Sequence, residues 1–353
     1  ILCCAFLLSL LVPRGVEYAC LALVLGGAIS EVFSFLLQFV SYLRDKRTLS
    51  GGGDAVPMHE VARISLPVAF SAYVRSGLVT VEHILIPIGL AAFGDPNALA
   101  TYGVISAVAL PIVLYPSAFV GAFAGLMIPE VTEFDAAKNT REVAYVTARA
   151  YAVTLFFSVL AAGFFAAFSS DICTAVYGDS EAAEYLRFLA PLMPVMFLDT
   201  VTDSILKGLG KQFYTMCVNI ADAGISVALV ALLVPKIGIY GYIIVIYVSE
   251  CVNTLFSVGR LVAMIDFRPR PYKWLLAPLA AAVGASRLAV LMMTRFALPP
   301  SFLTVALELL VFSTFYFLLA ALLGALGREE FFWMKNIFRK ERKASFKTGR
   351  NML

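Results

Sequence analysis

The chain has 353 residues, of which 61% are hydrophobic and 14% charged, against roughly 45–50% and 25% in a soluble domain. A water-soluble fold of this length cannot hide so much apolar surface, so lipid must be the solvent for most of it. The formal charge of +3 is too small to point to nucleic acid.

Apolar runs near the length needed to cross a bilayer fall at 1–12, 16–43, 61–90, 100–129, 143–169, 183–206, 212–234, 238–263, 273–294 and 300–325. Only helices or closed barrels satisfy their backbone groups in lipid, and these runs are far longer than barrel strands. The sequence therefore predicts an all-α integral membrane protein of about ten transmembrane helices. The first run, ILCCAFLLSLLV, is short for a span, opens on Ile1 rather than Met and lacks signal-peptide flanks. The expectation is a longer protein whose N-terminal part is missing.

The connections are short and their charges alternate. Nineteen of the 27 Lys and Arg fall on one side, in the loop at 44–57, the later connections of the same sidedness and the tail after 325. Arg14, Lys236 and Arg295 are the basic residues of the opposite connections. The positive-inside rule then places the C-terminus in the cytoplasm. The tail, FFWMKNIFRKERKASFKTGR, mixes aromatic and basic residues; it either lies along anionic headgroups or is ordinary topogenic charge.

An internal repeat is visible. The first run leads into its loop as LLSLLVPRG and the seventh as LVALLVPKIG, and the next helix in each case carries Ser-Glu at mid-depth, Ser30-Glu31 and Ser249-Glu250. The paired hairpins are offset by six helices, and an even offset keeps both copies in one orientation, so the repeat is parallel about the membrane normal. On this reading 1–43 holds the last two helices of a first six-helix lobe and 44–57 is a cytoplasmic linker. Residues 58–264 form a complete second lobe, 265–326 an extra helix pair and 327–353 a basic cytoplasmic tail. The parent would have fourteen helices, of which the first four are absent.

That 6+6+2 plan, with the stretches ISLPVAFSAYVRSGL, YPSAFVGAFAGLMIPEVTEF, ICTAVYGDSEA and DTVTDSILKGLGKQ, resembles the polysaccharide-transporter branch of the multidrug/oligosaccharidyl-lipid/polysaccharide (MOP) flippase superfamily, near its sporulation members. The MurJ-like lipid II flippases are its cousins. The resemblance runs to about residue 325 and is diffuse at any one position. It implies a monomeric flippase of the bacterial cytoplasmic membrane. Such a protein turns over a lipid-linked sugar for peptidoglycan, cell-wall or spore-cortex synthesis by alternating access.

Charges at the bilayer centre cost roughly 2.5–3.5 kcal/mol on insertion scales, so each one calls for a role. In the third run Arg75 lies near the midpoint, with Ser71 one turn below and Glu82 two turns above, a single polar stripe. Arg75 suits a lipid diphosphate, which a guanidinium binds bidentately; an ion pair with Glu82 or another helix is the structural alternative. Asp199 and Asp203, Asn219 and Asp222, and Glu250 and Asn253 are spaced to share faces of the sixth, seventh and eighth runs. Carboxylate and amide oxygens from several helices make a candidate Na⁺ or proton coupling site, with interhelical hydrogen bonding as the alternative. The MurJ-like relatives imply such a cation site at Glu82, Asn219, Asp222 and Glu250 or Asn253. His83 stands apart from the stripe and Glu31 is read as structural.

No other chemistry is signalled. The six cysteines show no metal spacing and are expected to be small buried hydrophobes. With His59 and His83 as the histidines, no cofactor beyond a coupling ion is expected. Proline pairs in the fourth and sixth runs, Pro111 with Pro116 and Pro191 with Pro194, predict bends. A membrane glycosyltransferase or ligase would need a sizeable aqueous loop, so no enzyme is expected. A scaffold would leave the midplane charges without purpose. A cation-coupled multidrug exporter of the same superfamily is the alternative transporter.

Overall fold

The computed structural model describes residues 6, 9, 11, 12, 15–48, 58–265, 267, 269–296 and 299–325. Most of the first predicted run, part of the linker and the basic tail lie outside the described residues. Every regular element among those described is helical. In chain order they are α1 (Val16–Thr48), α2 (Met58–Phe93), α3 (Ala98–Leu114), α4 (Ser117–Ala136), α5 (Thr140–Ala167) and α6 (Ser169–Tyr177). Then follow α7 (Ala183–Gly208), α8 (Gln212–Ile237), α9 (Ile239–Met264), α10 (Tyr272–Met293) and α11 (Phe302–Leu322). Eight are long and apolar enough to cross a membrane, and the bent pair α3–α4 makes a ninth crossing. The chain is thus an all-helical, multi-pass membrane protein.

The bend predicted in the fourth run is present as a full break, and the end of α1 departs from the sequence reading. The fourth run, expected as one helix, is two helices inclined at 50°. The break falls at Tyr115–Pro116, where the proline lacks the N–H that would continue the ladder. Within α3, the turns at Val104–Ala109 widen to π-helix. The expected irregularity near Pro191 is a 3₁₀ turn at Ala190–Leu192, which tightens α7 without ending it. Helix α1 continues to Thr48, so Arg44 and Lys46 lie in its last turns. There they complement the partial negative charge of a helix C-terminus.

The chain divides into two compact units, Ile1–Arg63 and Ile64–Leu353. In the first, α1 turns many apolar residues outward, with Leu23, Val24, Val32, Phe33 and Phe35 all exposed, while Ala22 is buried. Such a surface belongs in lipid.

In the second unit, α5 runs through the middle of the packing. Its Gly163 lets α10 and α11 approach so closely that an added Cβ would meet the Ala282 Cβ and Phe312 Cζ at 3.0 Å. Helix α10 presents Ala281, Ala282, Ala285 and Ala289, all buried. Small residues are what membrane helices use where no hydrophobic effect draws them together. Helix α4 crosses α7 at Gly208, whose carbonyl accepts a hydrogen bond from Thr132 Oγ1 at 2.9 Å. The α8–α9 hairpin turns at Gly238, with φ +68° and the Phe93 ring against its Cα.

The cysteines correct an expectation. Cys173 is buried, but Cys20, Cys217 and Cys251 are exposed. In lipid the outward face is apolar too, so a small hydrophobe gains little by turning inward.

Candidate functional site

Helices α2 and α8 run in the same direction. Ser71 and Arg75 line one pocket with Thr215 and Asn219, and higher up an added Cβ on Gly89 would meet Val234 Cγ1 at 2.9 Å. Helices α7 and α9 flank α8. The four bring almost every predicted site residue into one region of the second unit.

The core of that region is a polar ladder between α7, α8 and α9. Asn253 Nδ2 donates to Asp199 Oδ2 at 2.9 Å. Asp203 accepts from Asn219 Nδ2 and from Ser257 Oγ, each at 3.4 Å. Ser249 Oγ donates to Asp222 Oδ1 at 2.5 Å. The helical period explains the register: 199, 203 and 207 share a face of α7, and 249, 253 and 257 share a face of α9. Behind the ladder, Tyr151 of α5 meets Thr202 Oγ1 at 2.7 Å and closes the apolar side.

The carboxylates of Asp199, Asp203, Asp222 and Glu250 all lie within electrostatic reach of a neighbour in the group. Two hydrogen-bonding atoms in the ladder are buried without a partner, Asp199 Oδ1 and Asn253 Oδ1. Both are oxygens and both are acceptors, an arrangement that suits a cation or a proton. Among the described residues no three His, Cys, Asp or Glu side chains converge tightly enough to hold a metal ion. Sodium there would draw on amide and hydroxyl oxygens as well.

Arg75 stands at the mouth of this region. It forms no ion pair with a described residue, so the Arg75–Glu82 pairing allowed by the sequence is not present. Seven residues along a helix separate the two by about 10 Å, too far for contact. Arg75 instead exerts its charge on Asp222 and Glu250. It lines a cavity of about 260 Å³ with Ser71, Ala72, Lys207, Gln212, Thr215, Met216, Asn219 and Ile220. Glu82 is not part of that cavity. It sits further along α2, within the field of Asp222, Tyr102 and Tyr242. There the rings of His83, Tyr102 and Tyr242 stack edge to face.

Sequence reasoning missed Lys207, reading it as a topogenic loop charge. It ends α7, 4.0 Å from Asp203 Oδ2 and half exposed to the Arg75 cavity. Its signal was the spacing Asp199–Asp203–Lys207. Ser257 was also missed, although it continues the 249–253 face. A second cavity, about 310 Å³ between α8 and α9, is apolar but for Asp222, Asn253 and the Tyr214 hydroxyl.

Residues 72–232 match the family model MatE. The chain is also similar to stage V sporulation protein B of Bacillus subtilis (strain 168), at 22% identity over 266 residues, 72% of this chain and 51% of that protein. It therefore spans about half the length of this curated relative. The MatE match holds Arg75, Glu82, Asp199, Asp203, Asn219 and Asp222, and leaves Ser71, Glu250 and Asn253 just outside. The chain is thus a multi-pass membrane protein whose residues 72–232, the helices that build most of this polar region, match the MatE family.

Proposed function

We propose that this chain is part of a flippase that moves a lipid-linked oligosaccharide or peptidoglycan precursor across the bacterial cytoplasmic membrane by alternating access. The observation that carries the reading is the cavity shared by Arg75 and Lys207. A guanidinium and an ammonium on two helices line one cavity and supply the positive charge that a diphosphate calls for. Arg75 supplies the bidentate fork and Lys207 a point charge.

The ladder behind the cavity is the coupling element of this proposal. A Na⁺ ion or proton received among Asp199, Asp203, Asp222 and Glu250, with the amides of Asn219 and Asn253, would weaken the hold of Asp222 and Glu250 on Arg75. The guanidinium would then be free for the anionic headgroup, which links ion binding to substrate binding. In the same reading α2 through α9 are one six-helix lobe, with α3–α4 as one crossing, and α10–α11 are an added pair. The hinge is the Tyr115–Pro116 break.

A second reading, a cation-coupled multidrug exporter, is favoured by the four carboxylates of the ladder behind that cavity, Asp199, Asp203, Asp222 and Glu250. Purified protein in detergent separates the two. A short-chain polyprenyl diphosphate should raise the unfolding temperature and a lipophilic cation should not. Stabilisation by the cation, with no effect of the diphosphate, would establish the exporter instead.

A further inference from the structure

Away from the Arg75 cavity, two adjoining cavities open where α5 ends, and they share Ala167, Val290 and Thr294. The larger, about 620 Å³, is lined by Arg187 of α7 and by Ser286 and Arg287 of α10. Neither arginine has an ion-pair or hydrogen-bond partner among the described residues. Arg287 lies six residues before the end of α10, about 9 Å inside the span at 1.5 Å per residue. An unpaired guanidinium at that depth is costly unless something anionic meets it.

The smaller cavity, about 220 Å³, is acidic, with Asp171 of α6 and Glu308 of α11. Glu308 is only 3% exposed. It lies within electrostatic reach of Asp171, and its Oε2 has no partner. Two carboxyl groups line one small pocket there, and the buried orphan oxygen of Glu308 is an acceptor with no donor to meet it. The nearby Thr304 hydroxyl cannot satisfy that acceptor, because it already donates to Pro299 O at 2.7 Å.

The crevice as a whole is therefore dipolar: two unpaired cations in one half, and a buried acid pair with an unfilled acceptor in the other. Its rim is apolar and outward-facing, with Val283 and Leu291 both more than half exposed. We propose that it binds a phospholipid whose headgroup carries both a phosphate and a primary ammonium. The phosphate sits on Arg187 and Arg287, with the Ser286 hydroxyl beside them. The ammonium donates to the Asp171–Glu308 pair, and the acyl chains follow Val283 and Leu291 into the bilayer. A phosphate alone would leave Glu308 Oε2 orphaned, and a free amine would leave both arginines unmet. The site is separate from the Arg75 cavity and does not depend on the transport reading.

The test is binding of defined lipids to the full chain, delipidated in detergent and followed by native mass spectrometry. Phosphatidylethanolamine should bind about tenfold more tightly than phosphatidylglycerol, which has no ammonium, and than phosphatidylcholine, whose ammonium has no N–H. That ratio is the scale of one charge-assisted hydrogen bond. Glu308→Gln should erase the preference while leaving phosphatidylglycerol binding intact. Arg287→Gln should weaken both lipids about tenfold. Asp171→Asn, at a less buried position, serves as the acid-pair variant if Glu308→Gln folds poorly. Equal binding of the ethanolamine and glycerol lipids to the unmodified chain overturns the proposal. So does a preference that survives both acid-pair substitutions.

Discussion

Asn253 of α9 donates its amide hydrogen to Asp199 of α7 at 2.9 Å, and each residue is more than nine-tenths buried. The remaining oxygen of each, Asp199 Oδ1 and Asn253 Oδ1, has no partner. One interhelical hydrogen bond thus holds two unsatisfied acceptors side by side in an apolar setting. Removing the donor strands a buried carboxylate, which costs about 1–3 kcal/mol. Asn253→Ala should lower the unfolding temperature of the purified protein accordingly. In a double-mutant cycle, Asp199→Ala with Asn253→Ala should destabilise by less than the sum of the single changes. Additivity within about 0.5 kcal/mol would mean that the two residues do not interact.

If the ladder receives sodium, binding stabilises the folded state by mass action. Replacing choline by Na⁺ at constant ionic strength should raise the unfolding temperature in a concentration-dependent way. Asp222→Asn and Glu250→Gln should each flatten that response. A response identical in both variants would remove these two carboxylates from any cation site.

Arg75 separates substrate binding from packing, because it has no described ion-pair partner to lose. Arg75→Ala in a full-length parent should abolish flipping or complementation while leaving membrane yield unchanged. Arg75→Lys should impair function less than Arg75→Ala, since a point charge keeps the attraction and loses the fork. Lys207→Gln should have a milder effect of the same kind. Normal function in Arg75→Ala would rule out the substrate role.

Gly238 is required by backbone and by space at once. Its φ of +68° is one that side chains with a Cβ rarely adopt, and that Cβ would lie 2.8 Å from the Phe93 ring. Gly238→Ala should therefore destabilise by about 1–3 kcal/mol, the range for strain and overpacking. Phe93→Ala should recover part of the loss, the share due to the clash, and denaturant titration of the three variants measures it.

Sidedness can be read with membrane-impermeant maleimide on intact cells. Ala137, in the α4–α5 connection, and Ser180, between α6 and α7, are both exposed. Ala137→Cys should stay unlabelled until the membrane is opened, and Ser180→Cys should label from outside. Wild-type Cys173 should add no background. It is buried, and burial pushes its thiol up to about 11, so the reactive thiolate is scarce at neutral pH and grows only as pH rises toward that value. Labelling of Ala137→Cys from outside would invert the topology.

Composition alone determined the solvent of this protein, because no arrangement in water hides so many apolar residues. Run lengths then gave the helices, since in lipid the backbone must satisfy itself within each segment. Helical spacing also marked the polar faces, as at Asp199 and Asp203 or Asn219 and Asp222. What spacing could not decide is which faces meet. Arg75 and Glu82 share a stripe on α2, yet Arg75 opens into a cavity with Lys207 while Glu82 lies among Tyr102 and Tyr242. Helix α2 meets α8 at the Arg75 cavity and again at Gly89, and the rise of seven residues carries Glu82 past that cavity. Lys207 stands among loop charges and Glu308 within an apolar run. Their neighbours, Arg75 and Asp171, are more than a hundred residues away in the chain, and only the packing of distant helices places them together.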